Sequence, residues 1–125
     1  MEDLTGKLEV FFQKKINVRE INPMIYAISY PMYKIDGGMY DIYLLAKKDG
    51  FYLSDEGATM TELDKIFELG EPDVIKNLVA ILKQFNCCRQ GNSIVIQCTP
   101  QDIHIKLSHL VQAMSFMLNM KIFYV

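Results

Sequence analysis

The clearest pattern in the chain runs from Tyr40 to Ala46, where Tyr40, Ile42, Leu44 and Ala46 interleave with Asp41, Tyr43 and Leu45. A period of two, filled by β-branched and aromatic residues, predicts a strand. Both phases carry apolar side chains, so this strand is expected at the centre of a sheet and covered on both faces. Lys47-Lys48-Asp49-Gly50 supplies a turn, with Asp-Gly as the hairpin signal. Phe51, Tyr52 and Leu53 form the return strand. Ser54-Asp55-Glu56-Gly57 ends it, and Thr59-Met60-Thr61-Glu62 matches a capping box, with Thr59 as N-cap and Glu62 reaching back to its amide. The pattern predicts a helix from about Met60 to Leu69.

Upstream, Leu4, Leu8, Phe11 and Phe12 recur at helical spacing. With Asp3 or Thr5 as cap they predict an N-terminal helix ending near Lys15. Val18 to Pro23 reads as a connector. Met24 to Tyr33 reads as a long strand whose Pro31, lacking a ladder donor, calls for an edge position or a bulge. Asp36-Gly37-Gly38 reads as a loop.

Downstream, Gly70 marks a helix end and Pro72 a helix start. The helix expected from Pro72 to Phe85 carries Val74, Ile75, Leu78, Val79, Leu82 and Phe85 as its core stripe. Gln90-Gly91-Asn92 predicts a hairpin between Cys87-Cys88-Arg89 and the strand Ser93 to Cys98, with Ile94 and Ile96 on one face and Val95 and Gln97 on the other. Thr99-Pro100-Gln101-Asp102 is a helix start, with Thr99 as N-cap. Ile103, Leu107, Leu110, Met114 and Met117 follow on one stripe that runs to about Met120, with the methionines as core filler.

The expected fold class is therefore α+β. An N-terminal helix and an antiparallel sheet of three or more strands precede two helices, a hairpin and a long C-terminal helix. The order helix–helix–hairpin resembles a winged helix. The 125 residues suit a single domain, 1–125. Half of them are apolar, enough for a core. The apolar runs are too short to span a membrane, and the N-terminus lacks the basic-then-apolar layout of a signal peptide. A cytoplasmic address follows. Cys87, Cys88 and Cys98 are odd in number and fit neither a disulfide framework nor a zinc knuckle, so they read as buried, reduced thiols.

The formal net charge of −2 hides an asymmetry. From Asp49 to Asp73 eight acids face one base, Lys65, so the segment carries −7. From Val74 to the end five bases face one acid, giving +4. That basic half is too sparse for a nucleic-acid footprint. Asp55, Glu56, Glu62, Asp64, Glu68 and Glu71 form the candidate surface for a basic protein partner. On the helix expected there, Asp64 and Glu68 lie one turn apart and share a side. A simpler reading of the same acids is solubility.

No catalytic, cofactor or metal motif is legible. His104 and His109 are five apart and diverge on a helix. No nucleophile elbow or phosphate loop is present. His109 sits beside the apolar stripe and within possible reach of the acidic corner, as a structural histidine. The leading expectation is a non-enzymatic protein-binding accessory factor. One alternative is a metal-dependent nuclease or phosphoesterase using Asp36, Asp41, Asp55 and Glu56. The other is a winged-helix DNA-binding regulator, which the charge disfavours. The apolar Ile122-Phe123-Tyr124-Val125 end, if unpacked, would suit a symmetric homodimer.

Asp41 to Leu44, Tyr52 to Gly57, and the late Lys106, His109, Leu110, Gln112, Ala113 and Met114 together resemble a small bacterial and phage protein family. It is known as domain of unknown function eighteen-twenty-eight, and the resemblance spans roughly Met24 to Met120. It implies a small cytosolic protein, often carried on mobile elements, with no established activity. A phage or plasmid accessory factor follows from it, and an inhibitor of a host defence system is one specific version.

Overall fold

In a computed structural model, residues 17–33 and 39–120 are described. The expected N-terminal helix, the loop at Asp36-Gly37-Gly38 and the apolar Ile122–Val125 end lie outside them. Six strands form one antiparallel sheet: β1 (Asn17–Asn22), β2 (Ile25–Tyr33), β3 (Met39–Lys47), β4 (Gly50–Ser54), β5 (Cys88–Gln90) and β6 (Ser93–Cys98). Their order is β1-β2-β3-β4-β6-β5. Among the described residues three helices join the sheet in an α+β fold: α1 (Ala58–Asp64), α2 (Pro72–Gln84) and α3 (Ile103–Leu118).

The first correction is β1. The stretch expected as a connector is a strand in register with β2, Val18 opposite Ile28. Only Val18 is buried in it. An edge strand with one inward side chain has no alternating pattern to read. β1 flanks β2 only as far as Ser29, which lies opposite Asn17, so Pro31 is beyond that pairing. The β2–β3 register shifts between Ser29 and Tyr33, which is the bulge that a missing N–H demands.

β3 is central, between β2 and β4. Tyr40, Ile42 and Leu44 are buried, whereas Asp41, Tyr43 and Leu45 are only half-buried. Coverage of both faces was expected; among the described residues the helices cover one. Register carries the buried phase across the sheet, from Ile28 to Ile42 and from Leu44 through Leu53 to Ile96. These residues join Met60, Leu63, Leu78, Leu107, Leu110 and Met114 in the core. Ala27 and Val95, on the other phase, are outside that cluster.

The helices differ from expectation mainly at their ends. α1 stops at Asp64 instead of Leu69, and α2 ends one residue before Phe85. In α2 the core takes Val74 and Leu78, with Phe85 as C-cap, but Ile75 and Val79 point outward at 43% and 53% exposure. The stripe expected for this helix was too wide. Thr99 and Asp102 cap each other: the Thr99 N–H donates to Asp102 Oδ1 at 2.6 Å, and the Asp102 N–H donates to Thr99 Oγ1 at 3.3 Å. The regular helix begins after this turn, at Ile103. Met114, Met117 and Met120 are buried, as core filler should be.

The winged-helix resemblance does not carry over to the topology. The β5–β6 hairpin enters the main sheet through β4, where Leu53 faces Ile96. It is the end of a six-stranded sheet, and no separate wing results.

Candidate functional site

The corner between β4 and α1 is built on one carboxylate. Asp55 is 1% exposed. Its Oδ1 accepts the N–H of Gly57 at 3.0 Å and of Ile94 at 2.8 Å, and its Oδ2 accepts the N–H of Thr59 at 3.0 Å. The Asp55 N–H in turn donates to the Ile94 carbonyl at 3.1 Å. Asp55 thus continues the β4–β6 ladder by one rung, with a side-chain oxygen in place of a main-chain acceptor. Ser54 Oγ, fully buried, accepts the Glu56 N–H at 3.0 Å. Glu56 and Gly57 take positive φ values of 51° and 84°, so the chain reverses within two residues.

This changes two expectations. The N-cap of α1 is Gly57, and Asp55 satisfies the Thr59 amide. Glu62 does not reach back; it pairs with Lys65 at 3.3 Å. The Thr59 hydroxyl, expected as the cap, is buried with no hydrogen-bond partner among the described residues. Asp55, expected on the acidic surface, is interior.

The other candidate acids do reach the surface. Glu56, Asp64, Glu68 and Glu71 are exposed, and Glu62 is half-buried. Asp64 ends α1, Glu68 lies in the connecting turn and Glu71 is the N-cap of α2. Asp64 and Glu68 therefore do not share a helix face, contrary to the one-helix reading. Partly buried Phe67 and Leu69 pack on the core and tie the turn down. Lys65, the base in this stretch, is engaged by Glu62. Glu56, Asp64, Glu68 and Glu71 have no ionic partner among the described residues.

Among the described residues, the acids proposed for a metal do not assemble as one site. Asp41 accepts the Ser29 hydroxyl at 3.1 Å on the sheet face away from the core. Asp55 is occupied by three main-chain donors, and Asp36 is outside the described residues. Among the described residues no group of three or more His, Cys, Asp and Glu side chains is placed to hold a metal ion. His104 is exposed, whereas His109 keeps its Nδ1 buried without a hydrogen-bond partner among the described residues. No bond from His109 to the acidic corner forms.

A cavity of about 460 Å³ lies elsewhere, beside the outer edge of β6 and the start of α3. Tyr52, Cys88, Gln97, Cys98, Asp102 and Lys106 are among its walls. Nothing in the sequence spacing pointed to it, because its walls come from separate elements. Burial, with a smaller push from Asp102, raises the Cys98 thiol to about 12. Burial, then Cys88, does the same for Cys87. Neither is a nucleophile at neutral pH. Cys88 is exposed, contrary to the expectation of three buried thiols.

Among the described residues, a six-stranded antiparallel sheet with three helices packed on one side, closed by a buried aspartate corner, defines a small α+β fold. The family model described as Domain of unknown function DUF1828 matches residues 30–117, and the chain belongs to that family. Comparison with curated proteins and with solved structures returns no match. No described helix is long and apolar enough to cross a membrane.

Proposed function

We propose that the domain is a non-enzymatic protein-binding accessory factor that presents the α1–α2 edge to a basic surface on a partner protein. The observation that carries this reading is the set of four exposed acids, Glu56, Asp64, Glu68 and Glu71, with no ionic partner among the described residues, in a stretch whose base is already paired. Acids held on an anchored turn lose little entropy on docking and steer a basic partner through their field. The partner surface is one rich in Lys and Arg, of the kind that otherwise holds nucleic acid. The reading places the protein in the cytoplasm as a factor carried by a phage or other mobile element. Inhibition of a host defence protein is its specific version, and the family resemblance is what supports that step.

The test compares wild type with the Asp64→Lys/Glu68→Lys variant as bait in host lysate, at low and high salt, after circular dichroism shows both folded. The expected result is a basic protein held by wild type at low salt, and lost both in the variant and at high salt. Identical capture by both baits at both salts would overturn the proposal.

A further inference from the structure

The outer edge of β6 is only half covered. β5 pairs with it through Gln90–Ser93, Arg89–Ile94 and Cys88–Val95, and stops there. Ahead of Cys88 the chain belongs to the end of α2: Asn86 takes a φ of 58°, and the Cys87 N–H donates to the Leu82 carbonyl at 2.9 Å. β6 itself continues to Cys98, which β4 flanks on the other side through Phe51. Successive residues of a strand aim their main-chain groups at opposite neighbours. Ile94 gives both of its groups to Asp55, on the β4 side, so Val95 and Gln97 aim theirs outward. Val95 meets Cys88. The Gln97 main-chain N–H and carbonyl have no hydrogen-bond partner among the described residues. A strand edge with a free donor and a free acceptor is a template for another strand.

This unpaired stretch opens on the cavity of about 460 Å³. Two of the cavity walls are held in place: Tyr52 Oη donates to Asp49 Oδ2 at 2.6 Å, and Gln97 Nε2 donates to the Asp49 carbonyl at 3.3 Å. On the α3 side the wall includes half-buried Lys106, which makes no salt bridge among the described residues. Asp102, one turn before it, is engaged, its Oδ1 accepting the Thr99 N–H at 2.6 Å. We infer that this notch binds an extended peptide segment of a partner protein, which pairs with Gln97 as a short added strand and sets a Glu or Asp side chain against Lys106.

Gln97 shares a sheet face with Tyr52, its register partner, whereas Ile96 and Cys98 lie on the face that carries the helices. In the added strand the residue opposite Gln97 falls on the Tyr52 face, and its two neighbours turn toward α3 and Lys106. The acid therefore belongs at one of those two positions. Ile96 to Cys98 offers about 10 Å of edge, room for about three residues. Main-chain bonds supply the affinity and the ion pair the selectivity, as in other strand additions. The inference is independent of the α1–α2 edge, whose acids call for a partner of opposite charge.

Selection of a displayed random octapeptide library on the full chain, followed by titration of the synthesised winners, tests it. The enriched peptides are expected to carry Glu or Asp among β-prone residues. In the free protein the Gln97 amide is expected to exchange its hydrogen fast beside slow Ile96 and Cys98, and bound peptide to slow it by about tenfold or more. Lys106→Glu is expected to weaken binding by about tenfold, and a peptide with Lys in place of its acid to recover it on that variant. Lys106→Gln, which removes the charge without reversing it, is expected to weaken binding several-fold and stands in should the reversal disturb the fold. A library that yields no peptide overturns the inference. So do peptides that bind without protecting the Gln97 amide, or that bind wild type and both folded Lys106 variants equally.

Discussion

Asp55 and Ile94, 39 residues apart, are joined by two hydrogen bonds: the Asp55 N–H donates to the Ile94 carbonyl at 3.1 Å, and the Ile94 N–H donates to Asp55 Oδ1 at 2.8 Å. One residue thereby ends β4, starts α1 and fastens both to β6. The acidic turn that follows is held in place by this junction.

Removing the carboxylate should be costly. Asp55→Ala leaves three main-chain N–H groups without their acceptor, two of them at the start of α1. Bonds to charged acceptors contribute roughly 1.5–3 kcal/mol each and are not additive, so a total loss of about 3–5 kcal/mol is expected. Asp55→Asn keeps one acceptor oxygen and should lose less. Urea unfolding measures both, and an Asp55→Ala variant as stable as wild type would remove the corner from this role.

The reversal at Gly57 should resist any side chain. Its φ is +84°, and an added Cβ would meet Asn92 atoms only at 3.8 Å, an ordinary contact. The cost of Gly57→Ala is therefore backbone strain, about 1–2 kcal/mol. Gly70→Ala is the control. Its φ is not positive and its Cβ position is open, so it should be neutral or stabilising by up to about 1 kcal/mol. Melting temperatures of the two variants give the comparison.

Much of this architecture could be read from the chain. The β3–β4 hairpin, the Pro72 start, the Gly91-Asn92 turn and the α3 stripe follow period and turn chemistry, and they stand where expected. β1 was missed because an edge strand with only Val18 inward shows no period. The α1 cap was misassigned because Thr59-x-x-Glu62 satisfies the local motif, while a carboxylate four residues upstream competes for the same amide and wins. Asp64 and Glu68 were placed on one helix because apolar Ile66 and Phe67 continue the helical spacing; in the fold only Phe67 turns inward. The exposure of Glu56, Glu68 and Glu71 was legible, and the burial of Asp55 was not, since it depends on a partner 39 residues away.

The three cysteines should separate cleanly by reactivity. Cys88 is exposed, whereas Cys87 and Cys98 are buried with thiols pushed up to about 12. A thiol reagent at neutral pH should label one site quickly and all three only after unfolding. Rapid labelling of two or more sites in the native protein would contradict the burial.

The same two thiols set a pH dependence. Each has a folded-state value near 12 against an ordinary value of 9.0, because burial opposes the thiolate. Tyr26 is raised as well, first by burial and then by its bond to Glu20. The unfolded chain loses these protons first. Stability is therefore complete below about pH 9 and falls as pH rises toward about 12, by roughly 1.4 kcal/mol per unit per thiol. Urea midpoints under reducing conditions should show the fall, and Cys87→Ala/Cys98→Ala should flatten it.

The docking edge is tested most directly by association kinetics. With the protein captured from lysate immobilised, association rates are measured for wild type and for Asp64→Lys/Glu68→Lys across a salt series. The account predicts a wild-type rate that drops by about tenfold or more as salt rises, and a variant that is slow and nearly indifferent to salt. Equal rates with equal salt dependence, from two folded proteins, would show that these acids are a solvated surface and would contradict it.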